Sequence, residues 1–137
     1  MTTNFYITDN YALTFGDRHI DLHNNFTFTG YEFRATDREL SLFWTKSTGA
    51  WIGDNEFSTV TLIHKGVAFA NIKYETKNND TEHDCLDIVS FYPADDRETN
   101  DSFVSNAKPK EGDDVLYIFT TDDFIRIACN DIVLITK

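Results

Sequence analysis

The chain has 137 residues, 41% of them hydrophobic and 15% aromatic, enough apolar side chain to offset the entropy of ordering in one compact domain spanning residues 1–137. Its formal net charge of −11 argues against nucleic acid and anionic membrane as partners, since both are held through Lys and Arg on phosphates. By the same charge a macromolecular partner is expected to be basic, and no stretch approaches the roughly 20 apolar residues of a membrane-spanning helix.

Met1 to Asn10 carries no basic stretch followed by an apolar run, so no secretory signal is read there and the product is expected to be cytoplasmic. Cys85 and Cys129, each in an apolar run, read as two buried thiols in a reducing compartment. Two-residue alternation recurs, and no dozen residues keep apolar side chains at helical spacing, so strands are expected throughout. Ile20 and Leu22 sit in a short first strand. In the next, Phe26 and Phe28 occupy even positions but Tyr31 and Phe33 odd ones, a parity change that predicts a bulge or bend at Thr29-Gly30. Leu40 to Trp44 is a third strand, and Lys46 to Glu56 is a loop by composition.

Alternation resumes over Phe57 to His64, and Lys65-Gly66 is read as a hairpin turn into a strand over Val67 to Thr76. Cys85 to Tyr92 is another strand, ended by Pro93. Residues 94–113 form a polar loop too long for a simple turn, with room for a short helix. Val115 to Thr120, Phe124 to Cys129 and Ile132 to Thr136 read as a meander, separated by Thr121-Asp122-Asp123 and Asn130-Asp131. The expected fold is therefore all-β, or mainly β with a short helix, an antiparallel sandwich or partly closed barrel of about eight strands.

The charge is uneven along this scaffold. Residues 80–123 hold 13 acids and 3 bases, whereas residues 1–79 hold 9 and 7, so the acidity lies in one third of the chain. The signatures GxxxxGK[ST], GxGxxG, GxSxG, HExxH and CxxC are absent, and no calcium-binding Asp-x-Asp-x-Asp-Gly loop occurs. His19, Asp21 and His23 would share one face of a strand, but two histidines four residues apart on a straight strand are about 13 Å apart, too far to ligate one ion. Glu82, His83, Asp84 and Cys85 adjoin on an extended chain, where neighbours point apart, and His64 has no visible partner. No catalytic residue, metal or cofactor is assigned. Trp44 reads as core, while Trp51, between Ala50 and Ile52 in a loop, reads as an exposed anchor for a protein or a sugar ring.

Gly49-Ala50-Trp51 and Thr121-Asp122-Asp123-Phe124 resemble fragments of the lipocalin pattern, which implies a small-ligand barrel; in that family the tryptophan lies on the first strand, so no site residue is carried over. As a class, a small acidic β-rich chain with a concentrated acidic segment resembles the bacterial immunity proteins that neutralise toxins, which implies carboxylates covering a basic surface. The expected function is non-enzymatic: docking on a basic protein, such as a toxin, through Asp95, Asp96, Glu98, Asp101, Glu111, Asp113, Asp114, Asp122 and Asp123, with Trp51 as an anchor. The alternatives are a ligand-binding barrel with an aromatic interior and an enzyme whose cleft joins His19, His23 or His83 to carboxylates.

Overall fold

In the computed structural model, which describes residues 1–75 and 85–137, the alternating segments all form strands, and among these residues there is no helix. In chain order the strands are β1 (Thr2–Thr3), β2 (Tyr6–Thr8), β3 (Ala12–Phe15), β4 (Arg18–Asp21), β5 (Phe26–Arg34), β6 (Glu39–Lys46), β7 (Thr59–Lys65), β8 (Phe69–Lys73), β9 (Leu86–Pro93), β10 (Asp113–Phe119), β11 (Phe124–Ala128) and β12 (Asp131–Thr136). Five of them make one sheet in the order β1-β12-β7-β6-β5, and four make a second in the order β8-β11-β10-β9. A third sheet, β2-β3-β4, is a short meander. All pairings are antiparallel except β1 with β12.

The two larger sheets face one another, as the alternation demands. On the first, Phe28, Trp44, Val60 and Leu62 point inward; on the second, Val89, Phe91, Val115, Tyr117, Ile125 and Ile127 do. Phe28 meets Phe119 at 4.7 Å between ring centres and Trp44 meets Tyr117 at 6.2 Å, so the aromatic side chains bridge the layers. Phe5, Ile7, Leu13, Ile20 and Leu22 from the N-terminal part join the same cluster. The small sheet is tied to β9, with Val89 N–H donating to the Asn10 carbonyl at 2.6 Å. The result is an all-β sandwich with a filled core and, among the described residues, no closed barrel.

The parity change at Thr29-Gly30 is a bulge. The register of β5 against β6 shifts between Phe28 and Gly30, and Gly30 takes a φ of +141° that side-chain-bearing residues avoid. A Cβ at Gly30 would meet nothing within 4 Å, so strain there is purely one of backbone. Gly30→Ala is expected to cost about 1–3 kcal/mol, read as a lower urea midpoint at unchanged slope; a cost below a few tenths would show that the bulge relaxes freely.

Three expectations are corrected. Twelve strands occur among the described residues rather than about eight, because β1, β2 and β3 are too short to show more than one period of alternation. Lys65-Gly66 does not close a hairpin: β7 and β8 lie in different sheets, and the chain turns a corner there, with Val67 N–H donating to the Arg38 carbonyl and Ala68 N–H to that of Ala128. Likewise β10 and β11 pair but β12 crosses to β7, so the last three strands are not a meander. A corner and a hairpin need the same turn residues, and which forms depends on the layer that buries the next strand. Of the strand expected over Val67 to Thr76, Phe69–Lys73 forms β8, Tyr74 and Glu75 follow it outside the strand, and Thr76 lies outside the described residues.

Residues 94–113 contain no helix. They form a strap lying over the outer face of the second sheet, making a partial third layer.

Candidate functional site

The strap is held by an arginine that alternation places on the wrong side of its sheet. Ile125 and Ile127 point into the core, so Arg126 between them points outward, yet it is completely buried beneath the strap. Its Nε donates to Asp114 Oδ2 at 2.8 Å, its Nη2 to the Pro93 carbonyl at 2.8 Å, and its Nη1 to the Thr99 carbonyl at 2.9 Å and Asn100 Oδ1 at 3.4 Å. Arg97, from the strap itself, closes on the same carboxylate, with Nε to Oδ2 and Nη2 to Oδ1, both at 2.9 Å. Its guanidinium also lies over the Phe69 ring, 3.9 Å from the centroid. Asp114 is thus a buried carboxylate between two guanidinium groups. Burial alone would raise its pKa, but the hydrogen bonds and charges of Arg97 and Arg126 outweigh burial and hold it below the ordinary value of 3.8.

Further along, Ser90 Oγ accepts from Val104 N–H at 2.8 Å, Ile7 N–H donates to the Ala107 carbonyl at 3.0 Å, and Lys108 Nζ donates to the Thr3 carbonyl at 2.8 Å. The two ends of the strap meet where Ala94 N–H donates to the Gly112 carbonyl at 3.0 Å. An open cleft of about 600 Å³ at this base is lined by Asp95, Lys110, Glu111 and Asp113 among others.

Anchored in this way, the strap presents Asp95, Glu98, Asp101 and Glu111 to solvent, with Phe103, 46% exposed, among them. Asp96 and Asp113 are half-buried and build turns: Asp96 Oδ1 accepts from Thr99 N–H at 3.2 Å and Asp113 Oδ2 from Lys110 N–H at 2.8 Å. Two of the expected docking carboxylates are not on the surface at all. Asp114 pairs with the arginines, and Asp123, 6% exposed, accepts from Glu75 N–H through Oδ2 at 3.2 Å. Asp122 is exposed but follows β10, whose seven residues carry it roughly 20 Å from the strap's base. The nine carboxylates therefore separate into four exposed on the strap, two half-buried in its turns, two buried, and the exposed Asp122 at the far end. Compared with family models, curated proteins and solved structures, the chain matches none.

At that far end Thr120 N–H donates to the Cys85 carbonyl, and Cys85 helps to line a second open cleft, of about 410 Å³, together with His23, Asn24, Ser47, Thr48, Gly49, Ala50 and Trp51. Trp51 is 70% exposed, as its loop position implied, whereas Trp44 is buried in the core. The histidine cluster does not assemble. β4 ends at Asp21, whose Oδ1 accepts from the backbone N–H of His23 at 3.0 Å and of Asn24 at 2.8 Å, so this carboxylate shapes a turn. His19 is exposed on β4, while His23 Nδ1 donates to the Leu86 carbonyl at 2.7 Å. Among the described residues no three His, Cys, Asp or Glu side chains are grouped to hold a metal. Asp80, Glu82, His83 and Asp84 lie outside the described residues.

His64, for which the sequence suggested no partner, has two. It is completely buried; Nδ1 donates to the Leu40 carbonyl at 2.8 Å, and Nε2 therefore accepts from the Tyr117 hydroxyl at 2.7 Å. This pair pins the two large sheets together. Cys85 and Cys129 are partly buried and form no disulfide, and burial pushes the Cys129 thiol up to about 12.

Proposed function

We propose that the protein is a non-enzymatic binding protein that docks on a basic protein surface through the acidic strap, in the manner of an immunity protein covering a cationic toxin in the bacterial cytoplasm. The observation that carries this reading is the anchoring of the strap by Arg126, Asp114 and Arg97: buried charges hold in one geometry a loop whose outward side chains include Asp95, Glu98, Asp101 and Glu111. A loop ordered before it meets its partner loses little conformational entropy on binding. Complementary charge then raises the rate of encounter and rejects partners of the wrong sign. Phe103, exposed on the same strap, supplies an apolar contact. Unbridged cysteines suit a reducing compartment, and among the described residues no helix is long and apolar enough to cross a membrane.

The reading is tested by affinity capture from the native host at low salt, with the wild type beside a variant carrying Asp95→Lys, Glu98→Lys and Asp101→Lys. The expected result is a cationic protein retained by the wild type, released by salt and lost by the variant. Recovery of no cationic partner, or retention indifferent to the charge reversal, would refute the proposal.

A further inference from the structure

The Trp51 cleft lies apart from the strap and is lined by different chemistry. Most exposed aromatic side chains rotate freely; this one is fixed on two sides. Its Nε1 donates to the Asn24 carbonyl at 3.2 Å. Its six-membered ring lies against Gly49 so closely that a Cβ there would sit 2.3 Å from two ring carbons and 2.4 Å from a third. The loop therefore requires glycine at position 49 for the indole to lie where it does, and the ring nevertheless remains 70% exposed. Burial of apolar surface cannot be what this arrangement achieves, because little of the ring is buried. It holds a flat apolar face ready for another flat face.

The lining determines what that face would belong to. Among the described residues around the cleft none is Asp, Glu, Lys or Arg. Among these described residues a phosphate or carboxylate would meet no Lys or Arg, and a cationic ligand no carboxylate. The groups present are the Thr48 hydroxyl, the Ser47 hydroxyl, which also meets Thr27 Oγ1 at 2.8 Å, the Asn24 amide, whose nitrogen donates to Asp21 Oδ2 at 2.7 Å, and the His23 imidazole, whose Nδ1 donates to the Leu86 carbonyl. Hydroxyl and amide groups beside an aromatic face complement a ring that is apolar on one side and carries hydroxyls at its edge. We infer that the Trp51 cleft binds a neutral hexopyranose unit of a glycan, stacked on the indole and hydrogen-bonded at its rim. A planar heterocycle would also stack on the indole, and the nucleotide arm of the test separates the two.

The test follows the indole N–H signals of the full chain by ¹⁵N-resolved NMR during titration with maltohexaose, cellohexaose and chitohexaose, with adenosine monophosphate and an oligogalacturonate as comparisons. The inference expects at least one neutral oligosaccharide to shift the Trp51 signal saturably at millimolar concentration, while the signal of buried Trp44 stays in place. Trp51→Ala should weaken that binding at least about tenfold, as for an anchoring aromatic. Gly49→Ala should weaken it by displacing the ring, and Trp51→Phe should retain part of it, with unchanged far-ultraviolet dichroism in all three. No shift with any neutral oligosaccharide, a shift with the nucleotide or the acidic oligomer alone, or equal affinity in Trp51→Ala would overturn it. Loss of basic-partner capture in Trp51→Ala without any response to sugars would assign the tryptophan to a protein interface instead and would equally overturn it.

Discussion

Asp114→Ala is expected to lower the unfolding free energy by about 3–5 kcal/mol, because it strands the buried Arg126 guanidinium without a carboxylate. The figure follows from an asymmetry of buried ion pairs: their net contribution is modest, since two charges must leave water, but removal of one partner leaves the other desolvated and uncompensated. Arg126 cannot escape by losing its proton, as guanidinium stays charged in proteins. Nor can it readily reach water while the strap lies over it. Arg97 would also lose its bidentate partner, but its side chain is 38% exposed and can be hydrated. Urea unfolding at neutral pH measures the loss, and hydrogen exchange locates it: amides of residues 96–107 should exchange faster while those of β6 and β7 keep their protection. A loss below about 1 kcal/mol would show that the strap opens easily and that the docking surface is not rigid.

The same residue adds a pH signature. A carboxyl held below its unfolded value contributes stability that is fully present above 3.8 and lost as pH falls through the lower, folded value. Asp114→Ala should lack that part of the acid destabilisation. Because the strap carries the proposed interface, the substitution should also weaken partner capture although Asp114 itself touches no solvent. Capture unaffected by a strap shown to be loosened would detach the proposed function from the anchoring network.

The second large effect is a loss of stability on mild acidification, driven by His64. Burial pushes its pKa from 6.5 down to about 4, outweighing the raising effect of its hydrogen bonds to backbone. The unfolded chain takes up a proton near pH 6.5, whereas the folded chain resists until about 4, so between these values the unfolded state binds more protons and stability falls as pH falls. Lowering the pH from 6.5 to about 5 should therefore cost roughly 2 kcal/mol, a range in which ordinary carboxylates are still ionised. His64→Leu removes the titrating group. Its stability at neutral pH should be lower, since the Leu40 carbonyl and Tyr117 hydroxyl lose a buried partner, but its slope across this range should be nearly flat. Equal slopes in the wild type and His64→Leu would mean that His64 takes up its proton in the folded state and that the contact between the sheets opens to admit water.

Much of the candidate site was written in short-range pattern. The composition of residues 46–56 marked an exposed loop, and Trp51 within it is exposed; the polar run of residues 94–113 marked a surface segment, and four of its acids face solvent. The errors concern charges that tertiary structure consumes. Asp114 opens a run of apolar residues, Val115 to Phe119, and that adjacency was the available sign that its carboxylate enters a buried layer. Arg126 lies between Ile125 and Ile127, and an unpaired arginine in an apolar strand calls for a covering partner. Neither sign names the partner, because Arg97 is 17 residues from Asp114 in sequence and reaches it only when the strap folds back. Asp123 was indistinguishable from Asp122 beside it until the backbone N–H of Glu75 was brought to it.

What the sequence determined by itself is the period of its hydrophobic pattern, and with it the longer strands from β4 onward, most of their inward residues and the bulge at Gly30, because side chains alternate across a strand regardless of what the strand pairs with. Tertiary structure alone decided which sheet each strand joins, at Gly66 and at Asn130, and whether each carboxylate meets an arginine or the solvent. Those outcomes depend on burial and on partners distant in sequence, and a charged residue carries the same identity in either setting.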